Sequence, residues 1–166
     1  MAMSVILIGP KQLGEDHAQY CREHGSTAIQ YSASVQGWVV RRLQEMPRPF
    51  NLYIYVPKRY TCNGRAEHSS WGVGWIEYRA EIVDFSVDRN RQASPWPTIA
   101  GPNWYDKHQD RGFRYEYWFK AKAVVTERHQ SEEFDVELKD RTTRRYCGGS
   151  FGSTWRRGAI VFARTP

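Results

Sequence analysis

The side chains best suited to chemistry in this chain are its tryptophans and its arginines. Trp75 and Trp118 fall where a strand's alternation also places charged residues. Trp71, Trp96 and Trp104 fall in stretches without periodicity, flanked by His68, Ser70, Pro95, Pro97, Asn103 and Asp106. An indole on a polar face is costly unless something packs on it, and any nucleobase stacks on such a ring for about 1–3 kcal/mol. The competing reading is that these rings close the ends of a sheet and lie beneath loops. Aromatic residues make up 14% of the chain, with seven tryptophans, so the group as a whole is read as a base-binding platform.

The formal charge is +6, and it is unevenly spread. No acid follows Asp140, whereas Arg141, Arg144, Arg145, Arg156, Arg157 and Arg164 do, and they carry the whole excess. A planar guanidinium fork matches phosphate oxygens better than an ammonium does. The segment 146–158 adds glycines, whose backbone N–H groups can approach an anion, and hydroxyl donors such as Ser153. It is not a P-loop, because the Gly-Lys-Ser/Thr element is missing. A third cluster interleaves Lys58 and Arg59 with Tyr60 directly after a strand. Arg144, Arg145, Arg156, Arg157, Ser153, Lys58 and Arg59 are therefore the expected phosphate contacts. The bland alternative pairs these cations with acids on solvated turns.

Signatures of catalysis are poor. His17, His24, His68, His108 and His129 are scattered, with no i, i+4 pair, no C-x-x-C and no G-x-S-x-G. Cys62 and His68 would give a zinc ion only two ligands. Asp84, Asp88, Asp106 and Asp110 beside His108 could hold a divalent metal in a nuclease, which makes a metal-assisted hydrolase the alternative. A protein-interaction module that buries its tryptophans on a partner is the third reading. The expectation is a protein that is not an enzyme and needs no cofactor or metal.

These groups must be positioned by a mixed chain. Residues 4–8 read as a buried strand ended by Gly9 and Pro10, and 14–24 as a helix with Glu15 and Asp16 in its first turn. A short strand is expected at 28–31. A helix over 34–46 places Val35, Trp38, Val39 and Leu43 on one face and stops at Pro47 and Pro49. The period then becomes two. Over 51–57, Leu52, Ile54 and Val56 face away from Tyr53 and Tyr55. Over 72–85, Ile76, Tyr78, Ala80 and Ile82 oppose Trp75, Glu77, Arg79 and Glu81. Over 114–125, Tyr115, Tyr117, Phe119, Ala121 and Ala123 share a face, and 134–138 and 159–163 are further strands. The stretch 86–112 reads as a long functional loop. Strands behind an N-terminal α/β portion argue for one α+β domain over 1–166, closed or half closed into a barrel. No stretch is apolar for long enough to span a bilayer, the start lacks the marks of a signal peptide, and Cys21, Cys62 and Cys147 suit a reducing, cytoplasmic setting.

The segments LYIYVP at 52–57 and GWIEYRAEIV at 74–83 resemble the PUA-like superfamily, within it the EVE and ASCH type of domain. Residues 117–125, 134–140 and 157–161 are similar to that fold's closing strands. The resemblance covers roughly 50–163 and is one of pattern; the ASCH signature G-x-K-x-x-E-x-R is absent. It implies a small PUA-like β-pseudobarrel with a few flanking helices that recognises RNA or a modified or flipped base. Relatives of YTH architecture hold a methylated base in an aromatic cage, for which Trp71, Trp75, Trp96 and Trp104 are the candidates here. The partner expected is thus nucleic acid, DNA or RNA, with no membrane; the oligomeric state is left open.

Overall fold

Val5, Ile6, Leu7 and Ile8 are all buried, so the first strand is covered on both faces and belongs in the middle of a sheet rather than at its margin. The computed structural model describes residues 3–9, 11–33, 37–56, 61–62, 65–66, 75–89, 94–96, 115–145 and 160–164. In chain order the elements are β1 (Met3–Ile8), α1 (Lys11–His24), β2 (Thr27–Ala33), α2 (Gly37–Glu45) and β3 (Phe50–Val56). Two very short strands follow, β4 (Thr61–Cys62) and β5 (Arg65–Ala66), which among the described residues pair with each other. Then come β6 (Trp75–Arg89), β7 (Tyr115–His129), a 3-10 turn at Ser131–Glu133, β8 (Asp135–Glu137), β9 (Thr143–Arg145) and β10 (Ile160–Arg164).

The main sheet has eight strands in the order β2-β7-β6-β3-β1-β10-β8-β9. Only β1 and β3 run parallel; every other neighbouring pair is antiparallel. Among the described residues the sheet is open, with β2 and β9 at its margins. The α+β class expected from the sequence is therefore present.

One face carries both helices. Leu13, Gly14, His17, Ala18 and Cys21 form the buried stripe of α1. Val39 and Leu43 anchor α2, and both helices pack over Val5, Leu7, Leu52, Ile54, Tyr78, Phe119 and Phe162. Helix α1 starts at Lys11, not Gly14, which moves Glu15 and Asp16 out of its first turn. The reason is that Leu13 belongs to the same buried stripe as His17. Gly25 ends the helix at a φ of 82°, its N–H donating to the Cys21 carbonyl at 2.8 Å. Gly14 serves packing instead: a Cβ there would stand 2.1 Å from Cδ2 of Tyr78, so only a glycine lets that ring lie against the helix.

The opposite face is covered over one half by a second core of Ile6, Ile8, Tyr53, Tyr55, Ile76, Phe134, Val136 and Ala163. Here Tyr53, His129 and Phe134 meet edge to face, with ring centroids 5.2–5.6 Å apart. The alternation expected in β3 holds, and both of its faces are buried.

In β6 and β7 the alternation breaks at β-bulges. Ile76 joins the second core while Tyr78, Ala80 and Ile82 join the helix-side core, because the register shifts between Ile76 and Tyr78. A further shift near Ile82 turns Val124, rather than Ala123, into the helix-side core. Strand β6 also runs on to Arg89, so residues 86–89 of the expected loop are strand.

His17 is buried, with Nδ1 2.8 Å from Oγ1 of Thr27. Burial lowers its pKa from 6.5 to about 3. The unfolded chain therefore takes up a proton below about pH 6.5 that the folded chain refuses until about pH 3. Stability is intact above that window and falls, as pH drops through it, by about 1.4 kcal/mol per unit from this residue. Urea midpoints measured through the window should decline with acidity, and His17→Gln should flatten the decline. An unchanged slope in that variant would place the pH dependence elsewhere.

Candidate functional site

The bulge that reverses β6 also isolates Glu77. On β3, Ile54 pairs with Tyr78 and Tyr55 with Ile76, so Glu77 has no opposite number there. On β7, Ile76 pairs with His129 and Tyr78 with Thr126, so Glu77 faces two residues, Glu127 and Arg128. Bulges of this kind re-aim side chains and recur beside functional sites.

Three side chains meet at this point. The indole N–H of Trp75 donates to Oε2 of Glu77. The Arg128 guanidinium lies against both carboxylate oxygens, with Nε and Nη2 each 3.3 Å from Oε1 and Nε 3.2 Å from Oε2. The same guanidinium stands over the Trp75 ring, 5.6 Å from its centroid. Exposure is lopsided: the side chain of Glu77 is 2% exposed and that of Arg128 66%. A buried carboxylate is thus capped by a largely solvated arginine. Such a pair adds little to stability, because desolvating the carboxylate offsets the attraction.

The cluster lies at one end of the sheet. Trp75 pairs with Val56, the last residue of β3, and the Gly9 N–H donates to the Tyr55 carbonyl at 3.1 Å just past the end of β1. The parallel strands β1 and β3 therefore finish together beside Trp75, and α1 begins at that end. Ligands of open sheets with parallel strands gather at the carboxyl ends of those strands. Next in line, Tyr78 has its phenol held above the ordinary value by burial first, then by the charges of Glu15 and Glu77. That ring stays neutral and lies against α1 at Gly14.

The other expected platform residues fare differently. Trp118 is not exposed: it is 5% accessible, in a row across the sheet with Gln30 and Ser86. Its strand alternates as expected, but the ring itself is buried, so it offers no free surface to a base. Its indole N–H has no hydrogen-bond partner among the described residues. Trp96 is half-buried in a tight turn where its N–H donates to Oγ of Ser94 at 3.2 Å, and no ring contact joins it to Trp75 among the described residues. Trp71 and Trp104 lie outside the described residues.

Of the expected phosphate contacts, Lys58, Arg59, Ser153, Arg156 and Arg157 lie outside the described residues. Arg144 and Arg145 sit on the exposed marginal strand β9. Arg145 pairs with Asp135 at 3.4 Å and donates to the Glu132 carbonyl at 2.8 Å; Arg141 pairs with Glu45 at 2.7 Å. The bland reading therefore describes Arg141 and Arg145 in this conformation. Exposed pairs of this sort are weak. In the alternative metal site, Asp84 is engaged by Arg48 at 2.6 Å, Asp106, His108 and Asp110 lie outside the described residues, and nothing is described of the Asp88 side chain. Among the described residues no group of three His, Cys, Asp or Glu is placed to hold a metal ion. Among them, too, no helix is long and apolar enough to cross a membrane.

Comparison with protein-family models, curated proteins and solved structures gave no match.

Glu77 and Arg128 were missed as site residues in the sequence. Glu77 stands two residues from Trp75, as any alternating strand residue would, and Arg128 lies beyond the strand end expected at 125. The one available signal was an acid two positions from an aromatic on the same strand.

Proposed function

We propose that this chain is a non-catalytic nucleic-acid binding protein of the PUA-like kind, which takes one unpaired or flipped base on Trp75 and lays the flanking phosphates along arginines. The observation that carries the reading is the Trp75–Glu77–Arg128 cluster. It combines a ring, a hydrogen-bonding carboxylate and a solvent-exposed cation at the end of the parallel strands. The net charge of +6 supports an anionic partner, and the exposed arginines of β9 supply a second cationic surface. The bulged β6–β7 pair suits a curved sheet of PUA-like type. The free, buried thiol of Cys21 fits a cytoplasmic location.

Binding takes the base out of its stack, as other proteins that read single bases do. Fluorescence anisotropy with labelled single- and double-stranded oligonucleotides, plain and methylated, at two salt concentrations tests this. Steeply salt-dependent binding is expected, and Trp75→Ala should weaken it roughly 10- to 100-fold, the worth of one stacked base. Undiminished affinity in a folded Trp75→Ala variant would remove Trp75 from the interface. Absence of binding at low salt would end the nucleic-acid reading.

A further inference from the structure

We infer that the base taken by this site is guanine, read by Glu77 at the position that Arg128 now occupies. The inference rests on the nucleic-acid reading above and adds the identity of the base. Arg128 presently does two things at once: it covers the Trp75 ring and it presents N–H donors to the Glu77 carboxylate. A stacked base that reads the same carboxylate must do both. Among the bases, guanine carries the matching donor pattern. Its N1–H and exocyclic N2–H are the edge of a cyclic guanidine, two nearly parallel donors like those of an arginine fork.

Adenine offers one amino donor beside an acceptor nitrogen, which would set its lone pair against the carboxylate. Uracil offers one N–H between two carbonyls, with the same repulsion. Cytosine offers its amino group beside an unprotonated acceptor. Only guanine replaces Arg128 without leaving a buried Glu77 oxygen opposite an acceptor, and such a mismatch is what makes polar sites selective.

The lopsided burial of the pair fits this exchange. Glu77 is held in place by its bulge and by the Trp75 N–H, whereas Arg128 is mostly in solvent and can swing away. The carboxylate stays partnered throughout, first by arginine and then by base. The displaced guanidinium remains beside the nucleotide, where a phosphate can receive it.

The experiment compares short single-stranded oligonucleotides of uniform background carrying one central guanine, inosine, adenine or cytosine, as RNA and as DNA, with guanosine monophosphate as a separate arm. Inosine keeps N1–H and lacks the N2 amino group, so it tests the paired donors directly. Guanine is expected to bind roughly 10- to 100-fold more tightly than inosine or adenine, the usual worth of a good two-point contact. Glu77→Gln should abolish that ratio while leaving the salt dependence in place. Arg128→Ala, which removes the competing guanidinium, should keep or raise the guanine-to-inosine ratio, and it serves should Glu77→Gln fail to fold. Guanosine monophosphate binding as tightly as the oligonucleotides would identify a free nucleotide as the source of the base. Salt-dependent binding with equal affinity for all four bases would overturn the guanine inference and leave the nucleic-acid reading standing. No binding of any oligonucleotide or of guanosine monophosphate would overturn both.

Discussion

Arg42→Ala should destabilise the protein by about 3–5 kcal/mol, the cost of stripping the partner from a buried charge. Arg42 on α2 grips Glu137 on β8 with Nε 2.6 Å from Oε1 and Nη2 3.3 Å from Oε2, and the Glu137 side chain is only 4% exposed. Without Arg42, its nearest cation is Arg141, whose Nη1 is 3.6 Å away and whose side chain is half in water. Arg141 is also drawn to Glu45, whose carboxyl it holds below the usual range through their hydrogen bond. The carboxylate would be left buried and poorly paired. Replacing both partners together, as Arg42→Met with Glu137→Leu, should recover most of the loss, because the desolvation cost leaves with the charges. Urea denaturation of the three variants checks this. A loss below about 1 kcal/mol for Arg42→Ala would mean that the pair behaves like an exposed one. The pair matters to the fold because it ties α2 to the β8 end of the sheet, where the Trp38–Phe162 ring contact and the Arg141–Glu45 ion pair are further tethers.

Phe134→Ala should cost a comparable amount, about 3–5 kcal/mol, by opening a cavity in the second core. Phe134 is fully buried against Tyr53 and His129 and follows the 3-10 turn that folds back over the sheet. Its loss would leave Tyr53 and Tyr55, whose phenols burial already holds above their ordinary values, lining a void. Phe134→Leu should cost much less, since most of the volume is kept. A small effect of the alanine variant in thermal and urea unfolding would show that this face is not packed as a core. The consequence for function is local: His129 and Ile76 belong to this layer and flank Glu77 and Arg128 in sequence. A folded Phe134→Ala protein should therefore also lose discrimination at the Trp75 site.

Much of the architecture follows from local pattern. The apolar run at Val5, Ile6, Leu7 and Ile8 read as a buried strand and is one, and the helix expected over 14–24 is present, though it begins at Lys11. The alternation of Leu52, Ile54 and Val56 against Tyr53 and Tyr55 was legible because strand side chains alternate strictly; that both of these faces are buried was decided by packing. The helix stop at Gly25 and the α+β class were legible for the same reason: period and breaker residues act over a few positions.

What the chain alone could not reveal are the features set by pairing partners far away in sequence. The bulge at Glu77 depends on how β6 registers with β3 and β7 at once, and a period read along one strand carries no record of either neighbour. Trp118 sits in an alternation identical to that of an exposed residue, yet it is buried in the folded chain. Arg128 pairs with Glu77 across 51 positions of chain, and Arg42 with Glu137 across 95. Composition showed that arginines and tryptophans were abundant. The side to which each one turned was decided by long-range sheet register and packing, since burial and charge pairing are properties of neighbours in space.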